Sequence, residues 1–367
     1  MIPVAFDLRD PNRSGIARVA RSLAQAFAAR LAADGRFDLT LCGPAAQLDA
    51  LGARSWTSAP HTISIIDWPY GRHSFAAQLP WLSVRARARD ALWFFPHWDV
   101  PWYALPHRYV VMVHDLTLLH IPGATRPARR WLARRWIRHA VRHAARVVVP
   151  SDATARDLAE FAPAHAHKIR RIPEGVDARF TAPAPALPEH ILRFTGGKPF
   201  MLSVGNRKPH KNLGVGVEIL ARIPELRWVV AGERFPRWDA IMAHARSAGV
   251  AERMLVLDPL ADESLHALYG AAALLFFPSR AEGFGLPVAE AMACGTPVVC
   301  SNAGSLPEVA GSCATLCDPN DTQAFVRAVQ QVLSTGARQG VVCVDRARAM
   351  TWDASARRLA DVLEEAA

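Results

Sequence analysis

The feature that most constrains this chain is a rhythm. Short unbroken apolar runs recur along it, each followed by a stretch of helical character. In the first half the runs are Ile2–Leu8, Leu39–Cys42, Thr62–Ile66, Leu92–Phe95, Tyr109–Val113 and Arg146–Val149. A run apolar at consecutive positions is a strand buried on both faces, the condition of a parallel sheet covered by helices. After the first run, Ser14–Arg30 sets Ile16, Val19, Leu23 and Phe27 on one helical face. The alternation predicts a doubly wound α/β sheet.

A proline-rich stretch, Thr181-Ala-Pro-Ala-Pro-Ala-Leu-Pro188, interrupts the pattern. Proline fixes φ and has no N–H for a ladder, so the segment reads as an extended connector. The rhythm then resumes through Phe200–Val204, Arg227–Ala231, Met254–Leu257, Ala273–Phe277 and Pro297–Cys300. At roughly 150 residues per domain, 367 residues suggest two such domains, 1–185 and 186–350, with a closing segment 351–367. Ligands of open α/β sheets bind beyond the carboxyl ends of the strands, so two domains facing each other would line a cleft.

Charge is unevenly shared. Residues 1–180 carry 25 Lys and Arg against 14 Asp and Glu, whereas residues 181–367 carry 18 against 19. A uniform nucleic-acid coat is thereby disfavoured, and the first half is expected to face something anionic. The six cysteines form no C-x-x-C and no zinc-type spacing. Cys313 and Cys317, four apart, read as buried small hydrophobes, and the usage suits a reducing cytoplasm. Charges interrupt the N-terminal stretch, so no signal peptide is evident. No run of about 18 apolar residues points to a membrane span.

The most informative segment runs from Pro278 to Pro297, PSRAEGFGLPVAEAMACGTP. An apolar strand leads into a turn with Gly283 and Gly285, and a helix starts near Leu286 with Pro287 in its first turn, where a missing N–H costs little. Gly283 and Gly285 allow close backbone approach, and the free N–H groups at the positive end of the helix form an anion site. Glu282 precedes the turn and Glu290 follows eight residues later, placed to accept hydrogen bonds from sugar hydroxyls. Singly, each glutamate reads as a solvated or dipole-favouring acid; the set argues for a site.

Ser203–Leu213 follows the first strand of the second half and packs Arg207, Lys208, His210 and Lys211 into five positions. Cations there neutralise a diphosphate leaving group without a metal, and no Asp-x-Asp pair is present to hold a divalent ion. In the first half, the loop from Asp10 to Ile16 contains Gly15, which lets amides approach an anion. His114, after the strand ending at Val113, emerges at the sheet's carboxyl edge, where it exchanges a proton or hydrogen bond with a substrate hydroxyl or serves only structure.

Together these stretches resemble the retaining nucleotide-sugar glycosyltransferases of family 4, which have the GT-B fold of two Rossmann-like domains. The spacing of Glu282 and Glu290 matches that family's paired-glutamate motif. Similarity extends through Met292–Val299, Ser305–Val309, Val113–Asp115, Val149–Ser151, Ile172–Asp177, Val204–Asn212 and Thr351–Trp352. The resemblance implies that Glu290 binds the ribose, Glu282 the transferred sugar and Lys211 the diphosphate, that Phe284, Gly285 and Leu286 offer backbone amides to the sugar and phosphates, and that His114 stands beside the reacting carbon. It implies a nucleoside diphosphate sugar donor, GDP-mannose by mild preference, a glycan or lipid-linked acceptor, and no metal. The diphosphate would leave on the face the acceptor attacks, its β-phosphate oxygen taking the proton. Two departures stand out. Members often carry arginine where this chain has Asn206, so Arg207 or His210 is expected to substitute, and the nucleobase strand ends in Leu257-Asp-Pro259 rather than Leu-Gly. The closing helix, Trp352–Leu363, is expected to cross back to the first domain.

Residues Arg126–Arg146 hold eight arginines and no acid, interleaved with Trp131, Trp136, Leu132, Ile137 and Val141. Such a helix suits an anionic bilayer, with tryptophans at headgroup level. It also suits a phosphate backbone or an ordinary surface. The resemblance favours peripheral association with the inner face of the cell membrane and no nucleic acid. The competing readings are another enzyme of this architecture, such as a nucleotide-sugar epimerase or a phosphorylase, and a nucleic-acid-binding protein using the arginine helix.

Overall fold

The structure, a computed structural model, describes residues 1–9, 15–56, 63–69, 78–121, 126–181, 183–233, 238–336, 338 and 340–367. The chain divides into two compact units. Among the described residues the first comprises Met1–His120, 126–175 and Trp352–Ala367; the second comprises Val176–Thr351 with Ile121. The division thus falls at Gly175/Val176 and not near 185: the segment before the prolines, with Phe180 fully buried, already packs in the second unit's core.

Among the described residues the first unit holds strands β1 (Ile2–Asp7), β2 (Phe37–Gly43), β3 (Ser64–Asp67), β4 (Leu92–Phe95), β5 (Tyr109–Met112), β6 (Arg146–Val149) and β7 (Ile169–Arg171). They form one sheet in the order β3-β2-β1-β4-β5-β6-β7, every pairing parallel. The second unit holds β8 (Phe200–Val204), β9 (Arg227–Ala231), β10 (Met254–Leu257), β11 (Leu274–Phe277), β12 (Val298–Ser301) and β13 (Thr315–Cys317). Their order is β10-β9-β8-β11-β12-β13, again all parallel. Each sheet reverses its winding once, between β1 and β4 or between β8 and β11, and loops splay apart at such a switch point.

The central runs are buried along their whole length, as both-face coverage requires. Two strands escaped the reading from sequence, β7 and β13. Both are three-residue edge strands with partly exposed positions, so neither carries a continuous apolar run. The first helix, Gly15–Asp34, lies on β1 through Phe27, whose ring sits 5.2 Å from that of Phe6.

The closing helix, Trp352–Ala366, belongs to the first unit, where it packs along Gly15–Asp34. Leu359 and Leu363 are fully buried there. Ion pairs frame the contact: Arg30 meets Asp353 at 2.7 Å, and Arg146 and Arg170 share Glu365 at 3.0 and 2.9 Å. Exposed pairs contribute little each, so apolar burial holds this helix.

Two expectations need correction. Cys313 is not an isolated apolar filler but is disulfide-bonded to Cys343, its Cα 5.4 Å away; Cys317 and Cys300 remain buried thiols, and burial pushes both above the ordinary cysteine value. Trp136 is not at a surface: it is buried, lies with its ring 5.0 Å from that of Trp102 and donates its indole N–H to Val100 O at 2.7 Å. Among the described residues no helix is long and apolar enough to cross a membrane.

Candidate functional site

In the second unit the two informative loops leave adjacent strands, β8 and β11, on either side of the switch point. After β8 the chain turns at Gly205, which sits at φ 125° and whose N–H donates to Ala231 O. Gly232 approaches so closely that a Cβ there would lie 1.9 Å from the carbonyl oxygen of Gly205. The loop then makes a short turn, Pro209–Lys211, ended by Asn212 in the left-handed region. That places the Lys211 side chain back across Gly205.

After β11 the chain crosses Pro278–Gly283 and enters the helix Leu286–Ala293, with Gly285 as its cap at φ 101° and Pro287 in the first turn. The turn is clamped from the neighbouring strand's loop: Ser305 donates its hydroxyl to the carbonyls of Glu282 and Phe284 at 3.1 and 2.7 Å. A backbone bond, Arg280 N–H to His210 O at 2.7 Å, joins the two loops. Lys211 Nζ and Glu282 Oε1 consequently meet at 2.6 Å, the side chains only 11% and 13% exposed, with the ammonium 4.9 Å above the Phe277 ring.

Beside this pair is a small hollow of about 10 Å³ lined by Gly205, Asn206, Lys211, Phe277, Pro278 and Ser279. Asn206 Oδ1 and Ser279 Oγ are buried there without a hydrogen-bond partner. Buried polar atoms are rarely left unpaired, so the hollow is built for polar company.

Glu290 projects from the first turns of the helix, 1% exposed, and accepts a hydrogen bond from Tyr269 at 2.9 Å. Phe284 is buried in the core, leaving its backbone at the helix start. Arg207, expected beside Lys211, is turned elsewhere. Its guanidinium donates to Gly232 O and Glu233 O at 2.6 and 3.3 Å and lies over Trp238. The structure brings Lys211, Glu282, Gly285 and Leu286 together on adjacent loops and leaves Arg207 out.

In the first unit His114 follows β5 at the carboxyl edge and is buried. Both ring nitrogens face acceptors, Nε2 at 2.7 Å from Pro96 O and Nδ1 at 3.4 Å from Glu174 Oε1. Gly15 opens its helix with nothing within 4 Å of where a Cβ would stand; the loop 10–14 before it lies outside the described residues. At this unit's switch point a charge network fills the space after β1 and β4. Arg9 binds the carboxylate of Asp7 at 2.7 Å and Asp99 O at 3.0 Å, and His97 Nδ1 lies 2.7 Å from Asp99 Oδ1. Sequence reasoning missed Tyr269, Glu174 and this network. Among the described residues no cluster of three His, Cys, Asp or Glu is placed to hold a metal ion.

Comparison with known proteins shows the family and the fold. Residues 189–350 match the family described as glycosyl transferases group 1, and residues 13–180 match glycosyltransferase family 4. The chain is 28% identical over 269 residues to the O-antigen chain mannosyltransferase B of Escherichia coli, covering 69% of this chain and 70% of that protein. It is 31% identical over 303 residues to the D-inositol 3-phosphate glycosyltransferase of Xylanimonas cellulosilytica, covering 78% and 70%. Other relatives of the latter kind, from Mycobacterium, are spanned over 61% of their length. Among solved structures, sucrose-phosphate synthase of Thermosynechococcus elongatus superposes with a TM-score of 0.76 at 20% identity over 99% of this chain and 98% of that one. HepE of Anabaena, in complex with UDP and glucose, superposes with a TM-score of 0.74 at 16% identity over 99% and 100%.

Proposed function

Since the chain belongs to glycosyltransferase family 4 and has the GT-B fold, we propose that it is a retaining hexosyltransferase. It moves a sugar, mannose by preference, from a nucleoside diphosphate to a hydroxyl of a glycan or lipid-linked acceptor, in polysaccharide or lipopolysaccharide assembly. The observation that carries this reading is the meeting of Lys211 and Glu282 at 2.6 Å beside a helix start, at the carboxyl ends of β8 and β11. A cation for a leaving diphosphate and a carboxylate for sugar hydroxyls share one place.

In this reading the bond from the anomeric carbon to the diphosphate breaks while a bond to the acceptor oxygen forms on the same face. The acceptor proton passes to a β-phosphate oxygen. Lys211 and the amides of Phe284, Gly285 and Leu286 stabilise the departing charge without a divalent metal. Glu290 takes the ribose hydroxyls, its carboxylate oriented by Tyr269, and Glu282 takes those of the sugar. His114 is assigned to the transferred sugar.

Thermal-shift titration with UDP-, GDP- and ADP-sugars tests the assignment. One base should raise the melting temperature, and Glu290→Ala should weaken that ligand roughly 100-fold, since a charge-assisted contact to paired hydroxyls contributes about 3 kcal/mol. A protein stabilised by no nucleotide sugar would sink the reading.

We further infer docking on an anionic membrane through Pro127–His143. The support is a helix that exposes Arg129, Arg134, Arg135, Arg138 and Arg142 together with Trp131, which is 61% exposed under Arg135. With Trp136 buried, the contact is mainly electrostatic. Sedimentation with phosphatidylglycerol vesicles should therefore pull the protein down at low salt and release it by about 0.5 M, where the screening length has shrunk to a few ångströms. Failure to sediment at low salt would refute it.

A further inference from the structure

The ion pair at the heart of the site consists of the two groups that the reading assigns to different parts of one ligand. Lys211 and Glu282 satisfy each other at 2.6 Å with little solvent access. A diphosphate needs the lysine, and taking it leaves a nearly buried carboxylate unpaired beside an anion, an expensive state. On this point the geometry says more than the assignment of roles does.

Both backbones are fixed. The Lys211 loop is tied to the other loop through His210 O and Arg280 N–H. Glu282 is held through its carbonyl by Ser305, and Gly304 packs so tightly on it that a Cβ would lie 2.9 Å from the Glu282 carbonyl oxygen. The lysine has the longer stem, and it lies across Gly205, with Nζ and Cε 3.6 and 3.7 Å from where a Cβ would stand. The hollow with the unpartnered Asn206 Oδ1 and Ser279 Oγ adjoins it.

We propose that this ion pair is an internal latch that discriminates the intact donor from the spent nucleoside diphosphate. The proposal rests on the glycosyltransferase reading of the same site. An intact donor takes Lys211 with its diphosphate and returns to Glu282 the hydroxyls of its sugar, so neither charge is stranded. After transfer the sugar departs with the acceptor. Among the described residues Lys211 is the donor recorded for the Glu282 carboxylate, which recaptures it and weakens the hold on the diphosphate. Product release is thereby coupled to completion of the reaction, because two anions compete for one buried cation.

The test is calorimetric titration of UDP and GDP into the full-length wild type, Glu282→Gln and Glu282→Ala, with product inhibition of transfer measured in parallel. Removing the carboxylate frees the lysine, so both variants should bind the nucleoside diphosphate about tenfold more tightly than wild type while transferring sugar more slowly. A damaged fold would weaken every ligand and cannot mimic this opposition. Wild type and both variants binding the diphosphate equally, or the variants more weakly, would overturn the latch and leave the glycosyltransferase reading intact. If no diphosphate and no nucleotide sugar bound any of the three proteins, the reading and the latch would fall together.

Discussion

Lys211→Ala should lower the turnover number of sugar transfer about a thousandfold, close to 4 kcal/mol of transition-state stabilisation, while nucleotide affinity changes far less. The reasoning starts from where charge develops. As the glycosyl bond breaks, the diphosphate gains negative charge that the ground-state donor only partly carries. A cation held at that oxygen therefore acts mostly on the transition state. Lys211 is the cation set against Glu282 there, whereas Arg207 has committed its guanidinium to the carbonyls of Gly232 and Glu233. The substitution also leaves Glu282 facing the diphosphate with no counter-charge, which adds repulsion. Steady-state kinetics alongside nucleotide titration separates the two effects. A variant with a wild-type turnover number would remove Lys211 from the chemistry.

The parts of the site that were legible in the sequence are those contained in one loop. The run from Leu274 to Ala293 encodes its own strand, turn and helix start, so the placement of Glu282, Gly285 and Glu290 on them is legible by reading straight through it. Lys211 was legible for the same reason. What stayed hidden are partners brought together by the parallel sheet, whose crossovers put tens of residues between neighbouring strand ends. Tyr269 stands 21 residues from Glu290, Glu174 stands 60 from His114, and Arg9 reaches Asp99 O across 90. The Cys313–Cys343 bond, separated by 30 residues, was hidden likewise. Trp136 was misplaced for a different reason. Its helix is so rich in arginine that composition masked a narrow apolar stripe of Ala133, Trp136, Ile137, Ala140 and Val141 facing the core.

The hidden network at the first unit's switch point yields the second large effect: Asp7→Ala should destabilise that unit by about 3–5 kcal/mol, the cost of breaking a buried pair from one side. Arg9 and Asp7 are almost wholly buried, and the guanidinium also lies 4.2 Å from the centre of the Trp68 ring. Burial works against the charge on Arg9, but the fields of Asp7 and Asp99, with the hydrogen bond to Asp7, keep its pKa above the ordinary arginine value. It therefore stays charged and cannot relieve the loss by giving up its proton. With Asp7 removed, the remaining counter-charge among the described residues is Asp99 Oδ2 at 3.8 Å, which also serves His97 through its other oxygen. At about 2–4 °C per kcal/mol for a unit of this size, the melting temperature should fall by roughly 10 °C. The double variant Asp7→Leu/Arg9→Met should recover much of the loss, since it removes both charges and keeps the volume. Thermal denaturation of the three proteins decides the matter: a single variant melting within about 2 °C of wild type would mean that water reaches Arg9 and that the network is not the sealed charge cluster its geometry describes.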